Sequence, residues 1–476
     1  MLFIDGKWVD AVSGQTFDAV NPATGEVLGQ VADGGSEDTR TAIDAATAAF
    51  PDWSGRTAYA RAALLAEAHR LMLERQDELA RIMTREQGKP LRMARNEVGY
   101  AADFLAWFAE EAKRVYGETI PSARADQRFI VLHQAVGVAA AITPWNYPIS
   151  MITRKVAPAV AAGCTIVVKP AEQTPLCAIE TFRVFEDAGF PPGVVNLITA
   201  SDPQPVGGEL LTNRAVRKIS FTGSTEVGKY IAARAAKQMK RVSLELGGHA
   251  PFIVYDDADP EHAAKGLALV KFLNTGQACI CPNRIFVQRG VADSFIDTLV
   301  DRVGRLRPGN GLDDGVTIGP LIDEPALAKM QHQVDDARSR GATVRVGGER
   351  LAGEAFDGGQ FWAPTVLTDV TPDMVIYREE TFGPIAPVIV FDDEDEAVAM
   401  ANDTTFGLAS YVYTRDLSRA LRTVEGLDFG IIGVNDINPT SAAVPFGGIK
   451  ESGIGREGAR QGIHEYLDTK VCGIAI

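Results

Sequence analysis

Two doubly wound α/β units are what the sequence predicts, and three observations carry that expectation. Between Gly137 and Gly248, short apolar runs alternate with helical patterns, as in a parallel sheet with helices on both faces. From Pro251 onward a second series of the same kind begins. The chain has 476 residues, 46% hydrophobic and 23% charged. That length and balance suit two or three domains with sizeable cores and exclude disorder or a fibrous repeat.

The first residues read as short strands, 2–4 and 7–9, ending at the turn Asn21-Pro22-Ala23. Segments 37–50, 58–85 and 96–115 carry apolar residues at three-to-four spacing with charges between, the pattern of amphipathic helices. In the third, Ala102, Leu105, Phe108 and Ala112 share one stripe. A short strand at 129–133 intervenes. The central region then gives strands at 138–142, 165–168, 194–198, 218–221 and 242–246, separated by helices at 149–163, 175–188, 207–212 and 227–238. The second series runs strand 252–254, helix 260–273, strand 285–288 and helix 292–306, then helix 326–341 and strands 343–346 and 388–391. The last stretch, 466–476, is extended and apolar and suits a strand added to a neighbouring sheet.

Lys plus Arg number 47 and Asp plus Glu 62, a net charge of −15. Nucleic acid and anionic membranes call for a clustered positive face, so neither is expected as a partner. The longest apolar stretches, 136–143 and 430–434, fall far short of the ~20 residues of a membrane span. The start MLFIDGKWVD has no leader pattern, and five scattered cysteines make no disulfide framework. A reducing cytoplasm is the expected location.

Doubly wound sheets bind ligands beyond the C-terminal ends of their strands, so the segments following each strand hold the candidates. Strand 138–142 runs into Pro144-Trp145-Asn146-Tyr147-Pro148, a stiff turn that presents an amide suited to a developing oxyanion. Lys169 and Glu172 follow 165–168, as ribose ligands or as a surface ion pair. Thr222-Gly223-Ser224-Thr225 opens a helix, a usual way to hold a pyrophosphate, although it is neither a GxGxxG fingerprint nor a P-loop. Glu245 before Gly247-Gly248 is a general base if buried, or else an edge-strand glutamate. In the second unit Cys279 follows Gly276-Gln277-Ala278, as a nucleophile or as inert core. With no His or Cys cluster around Cys279 and Cys281, no metal site is expected.

Together Pro144–Pro148, 169–175, 221–228, 244–248, 276–279, 379–384 (EETFGP) and 445–448 resemble, in order and spacing, the NAD(P)-dependent aldehyde dehydrogenase superfamily. The motifs are closest to its succinate-semialdehyde dehydrogenase-like branch. The resemblance covers essentially the whole chain and implies that family's fold, two doubly wound α/β domains plus a β oligomerisation arm. The NAD-binding domain would comprise 1–116 and 136–247, the catalytic domain 248–448, and the arm 117–135 with 449–476. It also implies a homodimer or homotetramer that oxidises a small-molecule aldehyde to the acid. Cys279 would be the nucleophile, Asn146 the oxyanion donor and Glu245 the base that activates water. Trp145, Lys169, Glu172, Gly223, Ser224, Glu380 and Phe382 would hold the cofactor. A carboxylate at the ribose repels a 2′-phosphate, so Glu172 favours NAD, with NADP the lesser alternative.

For the substrate, Arg154 would pair with a distal carboxylate, with Thr440 or Ser441 donating; otherwise Arg154 caps its own helix. Succinate-semialdehyde enzymes usually carry a second arginine where this chain has Leu273. A longer ω-oxo acid or a small hydroxyaldehyde is therefore as compatible as succinate semialdehyde. Cys281, two residues from Cys279 at the edge of disulfide reach, is expected either to form a reversible bridge that switches the enzyme off or to pack beneath the loop. An acylating relative that lacks the base glutamate, or a non-catalytic member of the fold, fits less well, because Cys279, Asn146 and Glu245 all stand.

Overall fold

The computed structural model describes residues 1–476 and contains two large sheets, as the alternating pattern predicts. The first has eight strands in the order Gly453–Ile454, Arg241–Glu245, Val216–Thr222, Val138–Ile142, Thr165–Lys169, Val195–Leu197, Leu2–Ile4, Lys7–Val9. Its five inner strands are parallel, and the outermost pairs are antiparallel. The second has seven strands, Thr343–Val346, Thr365–Thr368, Ile385–Phe391, Pro282–Gln288, Ala250–Val254, Ala409–Tyr413 and Ile431–Val434, parallel except for the first. A three-stranded antiparallel ribbon joins Leu467–Ala475 to Gln127–Ala135 and Glu118–Pro121, and its last strand is exposed along almost its whole length. No helix is long and apolar enough to cross a membrane.

Three differences from the sequence reading have physical causes. The helix expected over 58–85 is two, Ala58–Glu74 and Gln76–Gln87, broken at Arg75, where Asp77 and Glu78 supply the acidic first turn that a new N-terminus favours. The third helix is Leu91–Glu111, not 96–115, because Pro90 takes the position before the first turn. Residues 453–454, expected in the arm, pair instead with the end of Arg241–Glu245. They extend the first sheet and bring the chain back to Glu245.

Within the first sheet, strand order reverses between Val138–Ile142 and Val216–Thr222. The helices from these strands leave on opposite faces there and open a crevice at the strand C-termini.

Candidate active site

Against that crevice lie loops that precede strands of the second sheet. Cys279 comes just before Pro282–Gln288, and Glu380 and Phe382 just before Ile385–Phe391. The C-terminal edge of one sheet thus faces an N-terminal edge of the other. Contacts across the junction are close: Asn146 Nδ2 donates to Gln277 O at 3.0 Å, Gly248 N to Glu380 Oε1 at 2.9 Å, and Trp145 meets Phe382 edge-on at 5.7 Å.

The nucleophile loop is built on strained backbone. After the helix Pro260–Lys271, Asn274, Thr275 and Gly276 take φ of 48°, 59° and 75°. Successive left-handed residues persist only where the surroundings over-determine them. Here Asn274 Nδ2 donates to Asn146 O at 2.9 Å and Gln277 O at 3.2 Å, and Thr275 Oγ1 to Gly319 O at 3.0 Å. Cys279 ends this turn half-buried, its thiol pushed up to about 12 by burial, against the pull of Arg154. Cys281 is fully buried and donates its S–H to Lys271 O at 3.3 Å. Both sulfurs are free thiols, and the packing of Cys281 is the beneath-the-loop arrangement.

Asn146 is clamped from two sides. Its carbonyl accepts from Lys89 Nζ at 2.8 Å as well as from Asn274, while its amide spends one N–H on Gln277 O. The second amide N–H makes no hydrogen bond. Glu245 ends its strand 2% exposed, and neither carboxylate oxygen has a hydrogen-bond partner. Burial first, and then the nearby Glu457 carboxylate, hold it well above the usual carboxylate range. Although burial favours its neutral form, Glu457 stays below that range because Lys155 bonds it and Arg154 Nε lies 2.9 Å away.

Beside Cys279 opens a cavity of about 430 Å³ whose wall includes Arg154, Tyr100, Met151, Leu273, Ile280 and Thr440. Arg154 is 2% exposed and stacked on Phe446 at 4.1 Å, with Nε and Nη2 lacking hydrogen-bond partners. It is a buried cation in a cavity wall, paired through Nε with Glu457 and with Nη2 unused, not a cap on its own helix. Leu273 occupies the wall as an apolar residue. Ser441, expected as a substrate donor, lies outside the wall; its Oγ accepts from Ala443 N at 3.3 Å and shapes the turn instead. Sequence reasoning missed Arg92, Asn96 and Tyr100, which line the cavity from one face of Leu91–Glu111 at four-residue spacing. Arg92 is exposed and makes no ion pair or hydrogen bond. The spacing was readable; beginning the helix at 96 hid it.

The crevice residues fit a dinucleotide. Ser224 is the N-cap of the helix Thr225–Ala236, accepting from Val227 N at 3.4 Å and keeping its own hydrogen to donate. A Cβ on Gly223 would lie 2.5 Å from the Phe221 ring, so the turn stays bare backbone. Lys169 and Glu172 stand at the next strand end, 3.0 Å apart as an ion pair, with Lys169 buried and Glu172 half-exposed. Glu380 is held up by burial and fixed by Gly248 N.

Comparison with known proteins gives a consistent result. The sequence model described as the aldehyde dehydrogenase family matches residues 8–472. A glutarate-semialdehyde dehydrogenase of Pseudomonas putida is 52% identical over 474 residues, covering 100% of this chain and 97% of that protein. The NADP(+) succinate-semialdehyde dehydrogenase of Escherichia coli is 53% identical over 467 residues, 98% of this chain and 96% of the relative. The crystal structure of an NADP-dependent E. coli enzyme superposes with a TM-score of 0.98 at 52% identity, covering 100% and 98% of the two chains.

Proposed function

This chain belongs to the aldehyde dehydrogenase family, and on that premise we propose that it oxidises an aldehyde bearing a distal anionic group, an ω-oxo acid, to the dicarboxylic acid. The observation that carries this reading is Arg154: a buried guanidinium, paired through Nε with Glu457 and with Nη2 unused, in the wall of the cavity that holds Cys279. Glu457 meets its Nε at 2.9 Å but leaves Nη2 without a partner, and a buried donor left unused is costly unless something accepts from it. Arg92, which has no ion-pair partner, adds a second positive charge to the same cavity. Leu273, Val270 and Ile437 add an apolar wall that suits a methylene spacer, in keeping with the glutarate-semialdehyde relative.

In this reading Cys279 Sγ loses its proton and bonds to the aldehyde carbon, turning the carbonyl oxygen into an oxyanion. The free N–H of Asn146 and the backbone N–H of Cys279 donate to that oxygen. Ser224, Lys169, Glu172, Glu380 and Phe382 would hold NAD(P), which would supply the hydride acceptor. With the hydride gone, the carbon is a Cys279 thioester. Glu245, once ionised, takes a proton from water. The hydroxide adds to the thioester and the C–S bond breaks, giving the acid and the Cys279 thiolate. Glu172 supports a preference for NAD, since its carboxylate would repel a 2′-phosphate. The first sheet would form the nucleotide-binding domain and the second the catalytic one. The exposed ribbon of Glu118–Pro121, Gln127–Ala135 and Leu467–Ala475 would pair subunits into a dimer or tetramer.

The test is NAD(P)H formation over a panel of succinate, glutarate and 2-oxoglutarate semialdehydes, glycolaldehyde, benzaldehyde and aliphatic aldehydes. A charge-assisted anchor contributes about 1.5–3 kcal/mol. Arg154→Ala should therefore lower kcat/KM on the ω-oxo acids on the order of 10- to 150-fold and leave neutral aldehydes within a few-fold. Equal activity on neutral and anionic aldehydes would defeat the assignment of Arg154.

A further inference from the structure

We propose that the buried Lys89–Glu97 ion pair is a positioning device for the oxyanion donor. It pins the Asn146 peptide and the first turn of Pro148–Ala162 in one register, so that the Asn146 amide keeps one N–H aimed at the reacting oxygen. The inference rests on the reading of Asn146 as that donor.

Both side chains are 1% exposed. Lys89 Nζ donates to Glu97 Oε2 and to Asn146 O, and lies 4.1 Å from the centre of the Tyr147 ring. A carboxylate, a carbonyl and a ring face thus meet the ammonium, two of them on consecutive residues of the Asn146 turn. The other carboxylate oxygen, Glu97 Oε1, accepts from Ile149 N at 3.1 Å, Ser150 N at 3.2 Å and Ser150 Oγ at 3.4 Å. Those are free donors at the start of Pro148–Ala162, a helix whose own N-cap residue, Tyr147, makes no side-chain cap bond. Glu97 therefore caps this helix from a different one. One ion pair holds the chain at 146, 147, 149 and 150, on both sides of Pro148.

The pair is itself held rigidly. Lys89 N donates to Gln87 Oε1 at 3.1 Å, Leu91 N to Gly311 O at 3.0 Å, and a Cβ at Gly319 would come 2.1 Å from Gly88 O. These contacts join the turn before Leu91–Glu111 to the 311–319 loop of the second unit. A turn carrying a catalytic amide needs such bracing, because orienting effects fall off steeply with displacement. A buried ion pair is weak evidence for stability; a pair whose every acceptor and donor lies on one turn has geometry as its evident product.

The experiment is a double-mutant cycle read through kcat, KM and melting temperature. Lys89→Met should lower kcat on the order of a hundredfold with KM changed less than threefold, the signature of a contact made only in the transition state. The Lys89→Met/Glu97→Gln double variant, which leaves no buried charge unpaired, guards against a simple folding failure. It should restore the melting temperature and not kcat. Alkylation of Cys279 by iodoacetamide, measured in a Cys472→Ser background because Cys472 is exposed, needs no oxyanion donor and should proceed at the parent rate. In an Asn146→Ala background, Lys89→Met should cost less than threefold, since the residue acts through Asn146. The same hundredfold loss with and without Asn146, or a parent-like kcat in Lys89→Met, overturns the proposal. A parent-like kcat in Asn146→Ala alone would instead overturn the donor assignment beneath it.

Discussion

Replacing Gly248 by Ala should cripple catalysis while sparing the fold. Gly248 stands just beyond Glu245, and a Cβ built on it would lie 2.3 Å from Cys279 O and 3.4 Å from Leu408 Cβ. A carbon-to-oxygen contact needs about 3.3 Å, so the two backbones must separate by about 1 Å. Neither side yields readily. Gly248 N is fixed on Glu380 Oε1 at 2.9 Å, and its carbonyl accepts from Asn283 Nδ2 at 3.3 Å. The nucleophile loop is held on its other side by Tyr411 Oη donating to Ile280 O at 2.9 Å. The displacement therefore falls on Cys279. A misplacement of that size at a reacting atom costs on the order of a hundredfold, or about 2.7 kcal/mol of transition-state stabilisation. The assay is kcat/KM with glutarate semialdehyde, alongside the melting temperature and far-UV circular dichroism. Gly248 does not adopt positive φ, so the substitution introduces no backbone strain of its own. A kcat/KM within threefold of the parent, with melting unchanged, would refute the claim that this glycine sets the position of the nucleophile.

Burial and a like charge act on the other reacting groups, each with a measurable consequence. With the Cys279 thiol pushed up to about 12, its alkylation in a Cys472→Ser background should accelerate about tenfold per pH unit from 7 to 10, since only the thiolate reacts. A plateau below pH 8 would contradict that. Removing the attraction of Arg154 with Arg154→Met should slow alkylation at every pH in that range. Lys155→Met strips the buried Glu457 of its hydrogen-bonded partner, and truncating one member of a buried pair costs about 3–5 kcal/mol. A marked fall in melting temperature is expected, and parent-like melting would show the pair to be energetically idle. Glu172→Gln removes the carboxylate proposed to exclude a 2′-phosphate. The ratio of kcat/KM with NADP to that with NAD should rise at least tenfold, and an unchanged ratio would sink the NAD preference.

What could be read from the sequence depended on which end of a strand a residue occupies. Trp145, Asn146, Lys169, Ser224 and Glu245 all follow or close strands of the first sheet, where a doubly wound topology must place its ligand. Hydrophobic periodicity located those strands to within a residue or two, so their loops could be examined one by one. Cys279, Glu380 and Phe382 instead precede strands of the second sheet, and no rule about strand C-termini leads to them. Cys279 was open between nucleophile and inert core until the motif resemblance, and Glu380 and Phe382 emerged from that resemblance alone. Strands Thr365–Thr368, Ala409–Tyr413 and Ile431–Val434 went unrecognised, being four- and five-residue runs without the alternation that marks a half-buried strand.

The positioning residues were hidden for a different reason. Lys89 and Glu97 are eight residues apart in a charged stretch, whereas Asn146 lies 57 residues beyond Lys89. Nothing in local spacing separates a solvated pair from one 1% exposed, because burial is decided by what the rest of the chain places on top. The same holds for Arg154, whose helix Pro148–Ala162 is buried at every position. Periodicity distinguishes one face of a helix from the other, and a helix with no exposed face offers no such contrast. A charged residue on such a helix must face a partner, a cavity or a ligand. Lys155 faces the first, in Glu457; Arg154 reaches the same carboxylate through Nε and turns Nη2, without a partner, to the cavity wall beside Cys279. Adjacent positions thus share one buried carboxylate, and only Arg154 keeps a donor over for a substrate.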